Sequence, residues 1–399
     1  MFEKLKIDQH IRRITLASAI RWAGWGIVEP LESVFLFTFV HNYADAGLLR
    51  ALYSLVFLLA LPVVGEIADR VSARSLILFG LAIYPIIGAS YVTAGLTGLV
   101  GFIIVARFAN GISYACDAVG RGTLIRKLTR HRDLGEVIGY FDTLAKGSWV
   151  FAALIGAVLV ITVPLTWLFV AIIPTSIIAF LIVRKITPDT PLVLVDTSRS
   201  TSLIIFEAYR DFAKAVGAWR WPMWQTAIST TTAGALSVIG SFAIPLVAYS
   251  GGSSLSAVML MGALAASPAL FAEKLGWLVD QNPRRARVIA LLSATLLIAS
   301  LALTGNYYWQ LVVSFGIGMA GELVNIANAT IATGLAKRIA YGIVTSESEL
   351  LYSIGEVLAP ISIGALMDAT GTQVTFAWIA GALLMVSLLF IHHKHAVKA

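Results

Sequence analysis

Four side chains inside one apolar run raise the chemical question. In ITLASAIRWAGWGIVEPLESVFLF, Arg21, Trp25, Glu29 and Glu32 follow at spacings of four, four and three, which on a continuous helix is one stripe down one face. An ionisable group inside a membrane-crossing helix costs about 2.5 to 3.5 kcal/mol on insertion scales, so such a stripe must face a water-filled cavity or a bundle interior. A second apolar run repeats the device with Arg107, Tyr114, Asp117 and Arg121. If the first helix runs outward and the fourth inward, Glu29 lies level with Arg107 near the midplane and Arg21 level with Asp117 nearer the cytoplasm, which predicts those two pairs. Asp142 and Lys146 stand one turn apart and can pair on their own helix. Glu322 and Glu356 reach similar depth on two later runs without an evident basic partner in that half. A carboxylate buried without a counter-charge favours its protonated form, which suits a group that takes a proton from one side and releases it to the other. The aromatic residues Trp22, Trp25, Tyr114, Tyr140 and Trp149 either line a cavity for apolar or cationic compounds or serve as packing.

The elements that carry these residues follow from composition. The 399 residues are 58% hydrophobic and 13% charged, about half the charge of an ordinary soluble domain, which marks an integral membrane protein. The apolar segments lack the alternation of barrel strands, so the spans are helices. Twelve are predicted, at about 15–40, 46–64, 75–95, 98–121, 134–158, 163–184, 222–249, 255–278, 286–304, 308–335, 342–367 and 372–391. All but four of the 29 lysines and arginines fall in the tails or in loops on the termini's side, which places both termini in the cytoplasm. The net charge of +7 has the same origin and argues for no nucleic-acid partner. The lone Cys116 excludes an intramolecular disulfide. All six histidines lie in tails or loops, which disfavours a His-based enzyme or metal site, and no P-loop points to ATP. No cleavable signal peptide is evident in MFEKLKIDQHIRR, and short loops without an outer glycosylation acceptor fit a bacterial or archaeal plasma membrane.

The chain also repeats. GEIADRVSAR, with Gly65, Asp69, Arg70 and Arg74, is echoed by GWLVDQNPRR, in which Gly276, Asp280 and Arg285 sit 211 residues later. Gly147 and Gly156 are echoed by Gly355 and Gly364 at an offset of 208. Two similar offsets argue for duplicated halves: an N-terminal six-helix bundle at 1–185, a cytoplasmic linker with an amphipathic helix at 186–220, and a C-terminal six-helix bundle at 221–399. Within the first echo, Gly65 is expected to let the second helix approach a neighbour closely, Asp69 to pair with basic groups or a helix N-terminus, and Arg70 and Arg74 to anchor the loop.

Twelve helices in two halves, with G-x-x-x-D-R-x-x-x-R between the second and third, resemble the major facilitator superfamily and its loop motif A. Ser72 and Ala73 depart from that motif. Arg107 and Gly111 in IIVARFANG resemble the superfamily's motif B. The resemblance implies two pseudo-symmetric six-helix bundles, alternating access, a small-molecule site between the halves at mid-depth, a monomer in the lipid bilayer and no cofactor beyond the proton gradient. It also implies that the motif A cluster latches the outward-facing state. Acidic residues on helix 1 with the arginine of helix 4 are similar to proton-coupled multidrug exporters, although GSWVFAALIG on helix 5 lacks that group's Gly-Pro and Pro360 stands on helix 11 instead. The alternatives are a proton symporter for a small organic anion held by Arg107, Arg21 and Lys146, and a carrier of lysolipid or lipid-linked molecules.

Overall fold

The structure is a computed structural model and describes residues 8–129, 134–187, 209–210, 221–335 and 341–391. The helices are α1 (Gln9–Val40), α2 (Tyr43–Arg70), α3 (Ala73–Thr97), α4 (Val100–Leu128), α5 (Leu134–Leu159), α6 (Leu165–Val183), α7 (Met223–Ser250), α8 (255–281), α9 (Pro283–Leu301), α10 (Tyr307–Leu335), α11 (Tyr341–Thr370) and α12 (Thr372–Ile391). Ten described helices are long and apolar enough to cross a membrane, and eleven with the bent α8 taken as one span. The remaining one, α9, carries Arg284, Arg285 and Arg287 in its first five residues. Most of the linker expected to hold an amphipathic helix lies outside the described residues.

Four of the described helices depart from the continuous spans that hydropathy suggests, α6 by a 3-10 turn over Phe169–Ala171 and α1, α8 and α7 as follows. The first α-helical piece of α1 ends at Gly26, a 3-10 turn follows over Glu29–Leu31, and helix resumes at Glu32. Pro30 has no amide to donate and interrupts the ladder. In α8, Pro268 starts a 3-10 stretch, Ser267–Phe271, beyond which the axis turns by 64°. In α7 a π-turn covers Ile239–Ala243.

Contacts divide the chain into two compact units, Met1–Glu29 with Leu52–Trp219 and Pro30–Ala51 with Arg220–Ala399. In the first, α3 packs on α4 and α6, and α1 on α5 and α6. In the second, α9 packs on α10 and α12, and α7 on α11. The pairings α1·α5, α3·α4 and α3·α6 thus recur as α7·α11, α9·α10 and α9·α12, as duplication requires. The loops echo each other too: Ser72 caps α3 by accepting from Ser75 N (3.1 Å), and Asn282 caps α9 by accepting from Arg285 N (3.1 Å). Residues 30–51 precede the linker in sequence yet pack in the second unit. There Asp368, at the end of α11, accepts from Tyr43 N (3.1 Å) and Ala44 N (2.7 Å), the first-turn amides of α2, where a carboxylate also meets the positive end of the helix dipole.

Lipid tails are as apolar as leucine, so close packing rather than hydrophobic burial must hold these helices together. Small residues set that closeness in the second unit. A side chain at Gly234 would collide with the Tyr352 carbonyl, and one at Gly355 with the Thr231 carbonyl, so α7 and α11 touch backbone to backbone. Gly65 behaves otherwise: a Cβ there would meet nothing within 4 Å among the described residues, and the same holds at Gly276. The close approach expected at Gly65 is therefore corrected; Val64 and Ala68, on the neighbouring face of α2, do the packing against Leu76 and Ala115. Gly355→Ala is expected to lower unfolding stability in detergent by about 1 to 3 kcal/mol through overpacking, whereas Gly65→Ala causes no loss; thermal unfolding of the two variants side by side checks this.

Candidate functional site

In the first unit the ionisable residues of α1 and α4 meet. Arg21 Nη2 lies 3.1 Å from Asp117 Oδ2, the pair that depth predicted, and Arg121 Nη1 lies 3.0 Å from the same oxygen. All three are buried, at 4%, 2% and 9% exposure. Arg21 also donates to the Tyr84 hydroxyl and stands 5.1 Å from that ring's centroid, 5.9 Å from Trp22 and 5.8 Å from Tyr114. Arg121 lies 4.8 Å from the Phe141 ring and 5.8 Å from Trp22. One carboxylate thus serves two guanidiniums, and electron-rich ring faces carry part of the surplus positive charge. Sequence reasoning missed Tyr84 as a member of this group; a tyrosine beside Pro85 in the middle of an apolar run was the available signal.

Glu29 sits at the break in α1. Its Oε2 accepts from Trp149 Nε1 at 2.6 Å. The approach that allows this runs through Gly26, where a Cβ would lie only 2.5 Å from the Trp149 carbonyl oxygen, so α5 reaches the α1 backbone there. Arg107 is fully buried on α4. Trp25 is tilted on Tyr91 (6.3 Å between centroids), and Tyr114 packs on Phe57 (5.0 Å) and Tyr53 (5.9 Å), while Tyr140 is half-buried. Asp142 and Lys146 stand 3.9 Å apart, an ion pair within α5 that is partly exposed.

The single stripe expected on α1 does not survive the break. Glu32 lies beyond it, in the second unit, 1% exposed and 2.7 Å from Arg50 Nη1. The sequence pattern does not connect Glu32 with Arg50, because the loop between α1 and α2 hides how near the start of α2 returns.

In the second unit Glu322 on α10 and Glu356 on α11 are both half-buried. Ser237 Oγ, just before the π-turn of α7, donates to Glu356 Oε1 at 3.4 Å and to the Gly234 carbonyl at 2.8 Å. The glycine contacts of α7 with α11 bring these residues together. Among the described residues no group of three or more His, Cys, Asp or Glu side chains could hold a metal ion.

The motif A residues have local duties. Arg70 Nη2 donates to Glu66 Oε1 at 2.7 Å. Arg74 donates from Nη2 to the Arg184 carbonyl (2.6 Å) and from Nε to the Val183 carbonyl (3.4 Å), and Arg13 Nη1 donates to the Lys185 carbonyl (2.6 Å). Two arginines thereby cap the C-terminal carbonyls of α6, where a cation also meets the negative end of the dipole. The Asp69 side chain lies outside the described residues. Asp280 and Arg285 are exposed.

The Major Facilitator Superfamily sequence profile matches residues 14–347. An MFS-type transporter of Mycobacterium tuberculosis is 24% identical over 151 residues, which are 38% of this chain and 25% of that protein. Among solved structures, a POT family transporter in complex with 5-aminolevulinic acid superposes with a TM-score of 0.77 at 11% identity, covering 98% of this chain and 96% of that one. The nucleoside transporter NupG gives 0.71 at 15% identity over 98% and 100%. The human organic anion transporter MFSD10 gives 0.69 at 13% identity over 96% and 100%. At these identities the likeness is one of fold.

Removing the shared carboxylate leaves two guanidiniums facing each other in a dry site. Asp117→Ala is expected to cost about 3 to 5 kcal/mol of stability, and the triple replacement of Arg21, Asp117 and Arg121 by apolar residues of similar volume recovers most of it; thermal unfolding in detergent measures both.

Proposed function

The chain belongs to the Major Facilitator Superfamily and is a multi-pass secondary transporter of small molecules; from that premise we propose that it is proton-coupled and works as an exporter, with Glu29 as the proton-carrying group. The observation that carries this reading is the Glu29 carboxylate at the break in α1, held at 2.6 Å by the Trp149 indole. Interrupted helices are where transporters build coupling sites, because freed backbone and a charged side chain share one polar spot within the membrane. The indole is a neutral donor, so it orients the carboxylate without cancelling its charge and leaves it able to exchange a proton. Arg107, fully buried on α4, is the proposed electrostatic partner that makes substrate affinity depend on the charge of Glu29. Glu322 and Glu356 are proposed as a second acidic station, serving coupling or a cationic substrate.

The proton gradient is the proposed energy source, the plasma membrane of a bacterium or archaeon the proposed location, and the termini are assigned to the cytoplasm by the arginine and lysine distribution. The motif A cluster with its repeat is proposed as the conformational latch. A second reading has its own support: Asp117 is shared by Arg21 and Arg121, and that surplus of positive charge favours a small organic anion carried with protons.

Proton movement in everted vesicles, followed with a pH-sensitive dye, separates the two. Lipophilic cations are expected to release protons, and Glu29→Gln abolishes the response. Trp149→Phe keeps the ring and loses the donor, and is expected to lower the rate about tenfold, the worth of one hydrogen bond to a charged group. Proton movement driven by organic anions, silent with cations and lost in Arg107→Ala, would overturn export in favour of symport.

A further inference from the structure

The start of α9 gathers positive charge that no acidic residue of its first turn balances. Asn282 caps the helix, so the first-turn amides form a positive pole, and the sequence PRRAR then adds Arg284, Arg285 and Arg287 with no acidic residue in that turn. Cations are unfavourable at this end of a helix dipole. Arg284 and Arg285 are exposed, where water solvates them and membrane topology accounts for them. Arg287 is different. It is 4% exposed, its Nε and Nη1 have no hydrogen-bond partner among the described residues, and its guanidinium carbon lies 4.2 Å from the ring centroid of Phe390 on α12. Among the described residues no carboxylate stands within ion-pair distance of any of the three arginines. Topology requires a positive loop and gives no reason to bury one of its charges, since an unpaired buried guanidinium loses its hydration.

Helical side chains lean toward the N-terminus of their helix, so Arg287 points back over the first turn, toward the pole that Arg284 also borders. The guanidinium lies over the Phe390 ring. On α12, Leu389 and Ile391 flank Phe390 in the chain and present apolar surface at 52% and 41% exposure. A phosphodiester suits such a place: guanidinium binds phosphate through paired N–H donors, a helix N-terminus favours an anion, and acyl chains attached to the phosphate would lie against Leu389 and Ile391. A soluble anion would use the first two features and leave the third unused.

We propose that the N-terminal end of α9 binds the phosphate of an anionic phospholipid from the adjoining leaflet, with Arg287 as the buried ligand and Arg284 as the exposed one. The lipid supplies the counter-charge that the described residues do not provide there, and it ties the α9–α12 pair to the bilayer surface.

Native mass spectrometry of the full chain in detergent, titrated with phosphatidylglycerol and separately with phosphatidylcholine, tests this. Phosphatidylglycerol is expected to be retained preferentially, and Arg287→Met and Arg284→Gln each weaken its binding about fivefold while phosphatidylcholine binding is unchanged. Arg284 is exposed, so its variant decides the matter if Arg287→Met fails to fold. Equal retention of the two lipids, or a preference that neither variant alters, would overturn the proposal. Full displacement of the lipid by millimolar inorganic phosphate would overturn it as well, by assigning the site to a soluble anion.

Discussion

The constraint on which the first unit depends is that a charge taken into the membrane must find its counter-charge inside the protein. Asp117 is where that constraint is met. One carboxylate holds Arg21 from α1 and Arg121 from its own helix, and the rings of Tyr84, Trp22, Tyr114 and Phe141 surround the two guanidiniums. Because α1, α3, α4 and α5 all supply a group to this node, their relative rotation is fixed by it. Apolar contacts such as those of Ile14, Ile77 and Leu124 then fill the space that the node defines.

Backbone proximity plays the corresponding part elsewhere. Gly26 allows Trp149 to reach Glu29, and Gly234 with Gly355 allows Ser237 to reach Glu356. In both units a polar contact therefore exists because a missing side chain lets two helices touch. Both sites also lie next to an interruption of regular helix, the turn at Glu29–Leu31 in α1 and the π-turn at Ile239–Ala243 in α7. That recurrence at equivalent places in the two halves agrees with the repeated order of helix contacts.

Helix ends form a third theme. Arg74 and Arg13 cap the carbonyls of α6, and Asp368 caps the amides of α2. Each places a charge at the pole of opposite sign. The start of α9 has the reverse arrangement, positive charge at a positive pole, the end that suits an anion from outside the chain.

The sequence by itself determined the membrane class, the all-helical architecture, the duplication and the Arg21–Asp117 pair. Each of these is written in quantities that do not depend on distant contacts: apolar length, the offset between repeated glycines, and helix rise, which converts residue number into depth. Pro30 and Pro268 marked the breaks in α1 and α8, yet hydropathy averages across a break and so read both as continuous. What only the tertiary structure decided was which face each helix turns to which neighbour. Depth cannot say that Glu32 meets Arg50, that Glu29 meets the Trp149 indole, that Gly65 lies away from the packed face of α2, or that Arg287 is buried against Phe390. Those facts depend on rotation about the helix axis, and in a bundle whose lipid and core faces are equally apolar the hydrophobic pattern carries little record of that angle.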